Sequence, residues 1–236
     1  MRVLVLQNDP VESLGAYTTL IEETTPVHVV HTYSEGAALP PPEDYTHLIV
    51  GPTPIHANQY PHYPFLRKVM RYLAEYTQRG KPVLGVCCGG QLLALLQGGK
   101  VEPSPAKEVG VYRVSLTPQG RGDPLFEGFP REFPVFQWHT DMFTVPPTGQ
   151  LLATGSPCPI QAYRAQNTWG ILFHLELEGE DVKRWLEAYP EEPSHAGKTR
   201  QRVWEEFEEV SGEMLVKARL LMENFLSLGP LETVKQ

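Results

Sequence analysis

The sequence predicts an α/β fold built on a mostly parallel, twisted sheet with flanking helices, an antiparallel extension and a long C-terminal helix. Three features of the chain lead to this prediction. Through the first hundred residues, short apolar runs alternate with stretches of helical periodicity, which is the pattern of parallel strands joined by crossover helices. Short apolar runs separated by turn residues follow, as in antiparallel strands. A long amphipathic stretch comes last, and this pattern favours a helix with one buried face.

The composition is that of one large domain. The 236 residues are 41% hydrophobic, which is enough for a substantial core. We expect residues 1–189 to form the domain and residues 190–236 to be a helical extension packed on it. The formal net charge of −8, without a basic block, argues against nucleic acid as a partner. No apolar run is long enough for a membrane span.

The cysteine usage and the first residues indicate a compartment. Three cysteines, two of them adjacent, do not make a disulfide framework. The N-terminal residues read as a first strand and lack the layout of a signal peptide. We therefore expect a cytoplasmic protein, because reduced cysteines are the rule in that compartment.

Apolar runs and helical spacing place the elements of the first half. Leu14, Tyr17 and Leu20 recur at the spacing of one helix face, and Phe65 and Val69 do so in a later stretch. Proline and glycine clusters mark the turns between runs. The predicted strands are at 2–6, 27–30 and 47–50, with a fourth entering at 83, and the predicted helices are at 12–23, 63–79 and 91–97.

The second half begins after two adjacent glycines at 98 and 99. Short runs bounded by turn residues predict antiparallel strands there. One further strand, 170–176, carries polar residues near its end. The predicted strands are 109–116, 133–136, 142–145, 151–153 and 170–176, followed by a helix at 179–189, a loop at 190–197 and a helix at 200–228.

The sequence G-V-C-C-G-G-Q at 85–91 organises these elements. An apolar run enters it and a helix-forming run leaves it, which is the geometry of a nucleophile elbow with Cys87 at its apex. Gly85 and Gly89 flank the apex, where strand and helix approach closely. The helix start offers free N–H groups and a positive dipole end, which favour a thiolate. The alternative for Cys87 is a buried structural cysteine.

A histidine and a carboxylate follow downstream. His174 and Glu176 are two residues apart in a predicted strand, so their side chains point to the same side. A thiol, an imidazole and a carboxylate make a nucleophile, a general base and an orienting acid. The backbone N–H groups of Gly51 and Cys88 are candidates for an oxyanion hole.

These motifs resemble those of class I glutamine amidotransferases. The G-x-C-x-G-x-Q elbow at 85–91 and F-H-L-E at 173–176 are similar to that family's elbow and F-H-P-E signature, and Gly51 matches the glycine of its oxyanion strand. The stretches 123–129 and 135–141 resemble the stand-alone subgroup that is similar to the amidotransferase domain of GMP synthase. The resemblance runs from residue 2 to about 189 and implies a flavodoxin-like fold.

The resemblance also implies roles for individual residues. Cys87 would be the nucleophile, His174 the base and Glu176 its partner, and Gln91 would contact the amino-acid end of the substrate. The implied reaction is attack on the γ-glutamyl amide of glutamine or a related small molecule, release of ammonia or an amine, and hydrolysis of a thioester. Ammonia would pass to a separate synthetase chain in trans or be released. We expect no cofactor.

Three positions depart from the family pattern. Val50 stands where many members have a second glycine, Gly90 where they have histidine, and Leu175 where proline is usual. None of these changes removes a catalytic atom. Gly90 suggests a wider pocket, which would suit a γ-glutamyl peptidase. The second alternative is a binding or regulatory protein that keeps the fold without turnover.

The remaining cysteines and histidines and the C-terminal helix are not assigned to catalysis. The Cys88 side chain and Cys158 are predicted to pack in the core. His139 would either line the pocket or bridge backbone groups. The other histidines share no metal-ligand spacing, so we predict no metal. The apolar stripe of the C-terminal helix would pack across the domain or form a homodimer interface.

Overall fold

The computed structural model describes residues 1–231. It is centred on one nine-stranded sheet with the order β2-β1-β3-β4-β9-β8-β7-β5-β6. Residues 232–236, the last five of the predicted extension, lie outside the described part. The strands are β1 (Val3–Gln7), β2 (Val27–His31), β3 (His47–Val50), β4 (Val83–Val86), β5 (Val101–Leu116), β6 (Glu132–Phe143), β7 (Gln150–Thr154), β8 (Ala162–Ala165) and β9 (Thr168–Ile171).

Seven α-helices and three short 3₁₀ turns are found in residues 1–231. The 3₁₀ turns are Pro42–Asp44, Ala57–His62 and Pro124–Phe126. None of the helices in this range is long and apolar enough to span a bilayer. The helices are α1 (Gly15–Glu22), α2 (Pro64–Thr77), α3 (Cys88–Leu96), α4 (Pro118–Arg121), α5 (Gly179–Ala188), α6 (Glu192–His195) and α7 (Arg200–Ser227).

The sheet has a parallel half and an antiparallel half. The first five strands in spatial order, β2-β1-β3-β4-β9, pair in parallel. The next four, β8-β7-β5-β6, continue the same sheet with antiparallel pairings. The predicted α/β class, parallel sheet and antiparallel extension are therefore confirmed, with a larger extension than the short apolar runs indicated.

Apolar side chains cover both faces of the parallel half. On β1, Val3 and Val5 belong to the core shared with α1, α5 and α7. Leu4 and Leu6 point to the opposite face and pack with α2 and α3. This burial on both faces explains why the parallel strands read as continuous apolar runs and not as alternating ones.

The antiparallel half is where the predicted elements needed most correction. The separate strands predicted at 133–136 and 142–145 are one strand, β6, and β5 begins at Val101 instead of 109. Two prolines lie in the first part of β5, where the pairing with β6 shifts register between Pro103 and Glu108. Prolines and a register shift remove the alternation from which strands are recognised.

The end of the chain also differs in detail from the prediction. β8 was not predicted, and β9 ends at Ile171, five residues earlier than expected. The predicted loop 190–197 contains the short helix α6. The helix predicted at 200–228 is confirmed as α7, with its N-terminus capped by the Thr199 side chain, which accepts a hydrogen bond from the Arg202 N–H.

Helix α7 joins the extension to the core. Its apolar stripe packs with α1 and with the sheet, so this stripe is not free to form a dimer interface. Beyond the helix, the Leu228 carbonyl lies 3.0 Å from His47 Nε2. Seven side chains on the stripe are buried: Val203, Phe207, Met214, Ala218, Leu221, Met222 and Phe225.

Two leucines on α7 provide a matched test of this packing. Leu221 is fully buried, whereas Leu215 is 42% exposed. We expect Leu221→Ala to lower the free energy of unfolding by about 2–5 kcal/mol, because it leaves a cavity in the core. Leu215→Ala should change it by less than about 0.5 kcal/mol. Urea denaturation of both variants measures the difference, and equal values would contradict the packing of α7 described here.

Candidate active site

Cys87 occupies the turn between β4 and α3. Its backbone has φ 50° and ψ −114°, a region that residues other than glycine rarely adopt. The turn is held by the Cys87 N–H, which donates to the Ile171 carbonyl at 2.8 Å. Strained backbone of this kind is retained where the surrounding structure imposes it, commonly at functional sites.

The glycines on either side are required by close approach. A Cβ atom at Gly89 would lie 2.1 Å from the Val50 carbonyl oxygen, and one at Gly85 would lie 2.5 Å from the Gly89 carbonyl carbon. Both distances are far below van der Waals contact. The close approach of strand and helix that the sequence predicted is therefore the reason for glycine at both positions of G-x-C-x-G.

The Cys87 thiol is buried and faces a cavity. Burial, followed by the nearby carboxylate of Glu12, raises the pKa of Cys87 well above its ordinary value, and the Cys88 backbone N–H opposes this less strongly. The N–H at the helix start favours the thiolate, as predicted, but burial outweighs it, so the resting thiol is protonated. A protonated thiol needs a base before it can attack.

His174 and Glu176 lie just beyond β9. His174 exchanges two backbone hydrogen bonds with Phe136, at 2.8 and 3.0 Å. Its Nδ1 lies 2.6 Å from Glu176 Oε1, and the Leu175 N–H donates to Glu176 Oε2 at 3.0 Å. Both side chains are fully buried. The ring and the carboxylate meet as predicted, although in irregular backbone and not in a strand.

The second ring nitrogen of His174 is left for another partner. Within residues 1–231, Nε2 is buried and makes no hydrogen bond. With Nδ1 facing the carboxylate, Nε2 is the nitrogen that can accept a proton. The Cys87 turn is close in the fold, because Ile171, to whose carbonyl Cys87 is bonded, precedes His174 by only three residues.

Gly51 does not have the role predicted for it. Its N–H donates to the Leu6 carbonyl at 2.9 Å and is therefore part of the ladder between β1 and β3. Its own carbonyl accepts from Asn8 Nδ2 at 2.8 Å. Because Pro52 has no N–H, the next donor along the chain is Thr53, which lines the cavity. In the described part of the chain the Thr53 N–H makes no backbone or side-chain hydrogen bond, and Thr53 is the better candidate.

The Cys88 N–H stays a candidate donor to an oxyanion. Cys88 is the first residue of α3, so this N–H has no partner within the helix. It lies close enough to the Cys87 sulfur to stabilise the thiolate. The Cys88 side chain packs among the apolar residues of α2 and α3, and its Sγ donates to the Ile55 carbonyl at 3.5 Å.

The cavity in front of Cys87 is small, about 260 Å³. This is slightly below the usual range of small-molecule sites, about 300–1,000 Å³. Gln91 lines it, with its Nε2 donating to the Asp141 carbonyl at 3.0 Å. The other lining residues are Glu12, Thr53, Pro54, Ile55, His56, Cys88, Lys107, Trp138, His139, Thr140, Asp141, Tyr189 and Glu192.

The three positions that depart from the family pattern lie outside this lining. Val50 packs with α2 and α3, and Leu175 packs in the core of the other face. A Cβ at Gly90 would face the Gly170 Cα at 3.2 Å, and the Gly90 carbonyl accepts from the Tyr163 hydroxyl at 3.0 Å. The expectation that Gly90 widens the pocket is therefore wrong, because this position faces the sheet.

His139 lines the cavity and also belongs to a second group of reactive side chains. Its Nε2 lies 2.8 Å from Glu108 Oε2, but neither ring nitrogen is aligned for a hydrogen bond. Glu108, His139 and Cys158 bring one donor atom each within 4.8 Å of one another. The sequence did not predict this group, because Glu108 and His139 are far apart in the chain. They meet only through the β5–β6 register, which places Glu108 opposite His139.

The donor atoms of this group are of types that bind metal ions. Hydrogen bonds within the protein also account for the positions of its side chains. Glu108 accepts from Gln161 Nε2 at 3.1 Å and from the Cys158 N–H at 3.4 Å. The Cys158 thiol donates to the Ile160 carbonyl at 3.6 Å, and burial raises its pKa. Cys158 neither lines the cavity nor occupies a strand-to-helix turn, so Cys87 is the better nucleophile.

The fold and the turn at Cys87 define a class of protein. It is an α/β protein in which a buried thiol lines a small cavity and a buried imidazole–carboxylate pair follows the strand to which the thiol's turn is bonded. A family model described as glutamine amidotransferase class-I matches residues 10–186. The chain belongs to the class-I glutamine amidotransferase family.

Individual relatives agree with this assignment. The chain is 29% identical over 201 residues to the glutamine amidotransferase-like protein YfeJ of Salmonella typhimurium, covering 83% of this chain and 84% of that protein. It is 32% identical over 121 residues to a glutamine-hydrolysing GMP synthase subunit of Pyrococcus abyssi, covering 48% of this chain and 63% of that protein.

A solved structure shows the same fold. The crystal structure of a glutamine amidotransferase from Thermotoga maritima superposes with a TM-score of 0.87 at 27% identity. The match covers 97% of this chain and 99% of that protein. The likeness therefore includes the antiparallel half of the sheet and α7.

Proposed function

We propose that this protein hydrolyses the γ-glutamyl amide of glutamine through a thioester on Cys87. The observation that carries the proposal is the Cys87 thiol, which lies at a strained strand-to-helix turn and lines a cavity. The turn is bonded to Ile171, three residues before His174, whose Nδ1 lies 2.6 Å from Glu176 Oε1 in a buried pair. Family membership supports the reaction class, and the arrangement of side chains supports the assignment of roles.

The residues divide the chemistry between them. His174 Nε2 takes the proton from the Cys87 thiol, and the sulfur attacks the γ-carbonyl carbon. The carbonyl oxygen becomes an oxyanion, for which the N–H groups of Cys88 and Thr53 are the proposed donors. Glu176 stabilises the imidazolium that has formed. As the carbon–nitrogen bond breaks, the imidazolium gives its proton to the departing nitrogen, and ammonia leaves.

Water completes the cycle. His174 takes a proton from a water molecule, whose oxygen attacks the thioester carbon. The carbon–sulfur bond breaks, glutamate leaves, and the thiolate of Cys87 recovers its proton from the imidazolium. The raised pKa of the resting thiol makes this proton return favourable.

The lining charges fit an amino-acid ligand. The cavity is lined by Lys107, which is paired with Glu192, and by the acidic side chains of Glu12 and Asp141. A free amino acid carries both signs of charge, so a mixed lining can receive both ends. Gln91 adds a polar group at the same wall, in agreement with the contact proposed for it from the family resemblance.

The fate of the ammonia is a separate proposal. One relative is a subunit of glutamine-hydrolysing GMP synthase, and by analogy ammonia made here would pass to a separate synthetase chain in trans. The chain covers 63% of that relative's length. Release of free ammonia is the alternative.

Glutamate release from a small panel of substrates tests the proposal. Wild-type protein should liberate glutamate from glutamine faster than from γ-glutamyl dipeptides, because the cavity is small and Gly90 does not enlarge it. Faster cleavage of the dipeptides would establish the peptidase alternative. No release from any γ-glutamyl compound would leave the protein as a binding or regulatory member of the family.

A further inference from the structure

Glu12 is a cavity residue to which neither the sequence motifs nor the family resemblance assigns a role. It follows β1 in the loop that leads to α1. Its backbone N–H donates to Asp9 Oδ1 at 3.1 Å, which fixes the loop. Glu12 is only 5% exposed, and it lines the same cavity as Cys87.

The other carboxylates of the cavity have basic partners. Asp141 Oδ2 lies 2.5 Å from His56 Nδ1, and Glu192 is paired with Lys107. Glu12 forms no ion pair with any basic side chain in residues 1–231. A buried carboxylate without a counter-ion is costly unless it is neutralised or a ligand supplies the positive charge.

The groups that shift the pKa of Glu12 are acidic or neutral. Burial and the negative charge of Asp9 raise the pKa of Glu12 to about 8, with contact from Tyr189 opposing the rise and Glu176 adding to it. Glu12 is thus mostly protonated at neutral pH before a substrate binds. The charged and titratable groups of the elements around it are Asp9, Cys87, Cys88, Glu176 and Tyr189, with His56, Lys107, His139, Asp141 and Glu192 elsewhere on the wall.

We propose that Glu12 is the residue that binds the α-ammonium group of the γ-glutamyl substrate. This inference rests on the proposed function, because it uses Cys87 as the point at which the γ-carbonyl is held. The α-nitrogen is four bonds from that carbon, and it is the positive group that every substrate with a free γ-glutamyl end has in common. Glu12 then discriminates such substrates from amides that lack the α-amino group.

Binding through Glu12 has a proton signature. The ammonium is best received by the ionised carboxylate, whereas below pH 8 the protein without substrate holds the protonated acid. Binding at pH 7 therefore expels a proton, and affinity for an α-amino substrate rises as the pH increases toward about 8. A ligand without the ammonium has no reason to expel this proton.

The test compares glutamine with glutaramate, the same amide without its α-amino group, in wild type and Glu12→Gln. The variant should lower kcat/KM for glutamine on the order of 10- to 100-fold, mainly through KM, since the side chain of the variant can still accept a hydrogen bond but no longer carries the negative charge that strengthens it. The value for glutaramate should change by less than about 2-fold. Glu187→Gln removes an exposed carboxylate from α5 and should change neither.

Calorimetry on Cys87→Ala protein supplies a readout independent of turnover. In buffers of different ionisation enthalpy, glutamine binding at pH 7 should release close to one proton, and none when Glu12→Gln is added. The inference would be overturned if Glu12→Gln lowered kcat/KM equally for glutamine and glutaramate, or lowered it for neither. It would also be overturned if glutamine binding released the same number of protons with and without Glu12→Gln. Absence of glutamate release by wild type would instead refute the proposed function, whereas the binding results would still decide the role of Glu12.

Discussion

Cys87→Ala is expected to reduce glutamate release on the order of 10⁴-fold or more, because it removes the atom that forms the thioester. The fold should survive, since alanine fits wherever the thiol does and the backbone of the turn is held by the Ile171 carbonyl. Steady-state release of glutamate, with circular dichroism to verify folding, measures the effect.

Cys158→Ala is the matched control for this variant. Cys158 is also a buried free cysteine beside a histidine and a glutamate, but it does not line the cavity. We expect its substitution to leave turnover within a few-fold of wild type. If Cys158→Ala were inactive and Cys87→Ala active, the Glu108–His139–Cys158 group would be the catalytic one and the turn at Cys87 a structural feature.

His174→Ala and Glu176→Gln should have unequal effects. Loss of the ring removes the proton carrier, so turnover should fall nearly as far as in Cys87→Ala. Glu176→Gln keeps the shape of the side chain and removes the charge that stabilises the imidazolium, at a cost on the order of 10- to 1000-fold. Initial rates of glutamate release for both variants give the comparison.

The double variant tests whether the pair acts as a unit. Because the Glu176 carboxylate faces His174 Nδ1 and is proposed to act on the reaction only through this ring, combining the two changes should be little worse than His174→Ala alone. Multiplied losses in the double variant would show that Glu176 has a separate role. If Glu176→Gln released glutamate as slowly as His174→Ala, the buried pair would be needed to keep the fold. A lowered melting temperature of the Glu176→Gln variant would reveal this.

Local patterns in the sequence were sufficient for the parallel half and the turn at Cys87. Strand, glycine, cysteine, glycine and helix are adjacent in the chain, so their geometry follows from short-range sterics. The meeting of His174 with Glu176 was likewise predicted from a spacing of two, and it is realised at 2.6 Å even though β9 stops at Ile171.

Features that depend on distant pairing were out of reach. The Gly51 N–H donates a hydrogen bond to the Leu6 carbonyl. This bond depends on how β1 pairs with β3, and the sequence does not show that pairing. In the sequence, Glu12 is an ordinary residue at a predicted helix start. Its burial in the cavity without a basic partner results from the packing of several elements, which local patterns do not show. Gly90 was interpreted as a pocket residue, because a sequence does not tell which face of α3 meets the sheet.

The most direct test of the central claim is covalent labelling with the diazoketone analogue of glutamine, read by intact mass and peptide mapping. We predict one adduct per chain, located on Cys87, formed more slowly in His174→Ala and absent in Cys87→Ala. An adduct on Cys88 or Cys158, or undiminished labelling of Cys87→Ala, would contradict a mechanism that proceeds through the Cys87 thiol.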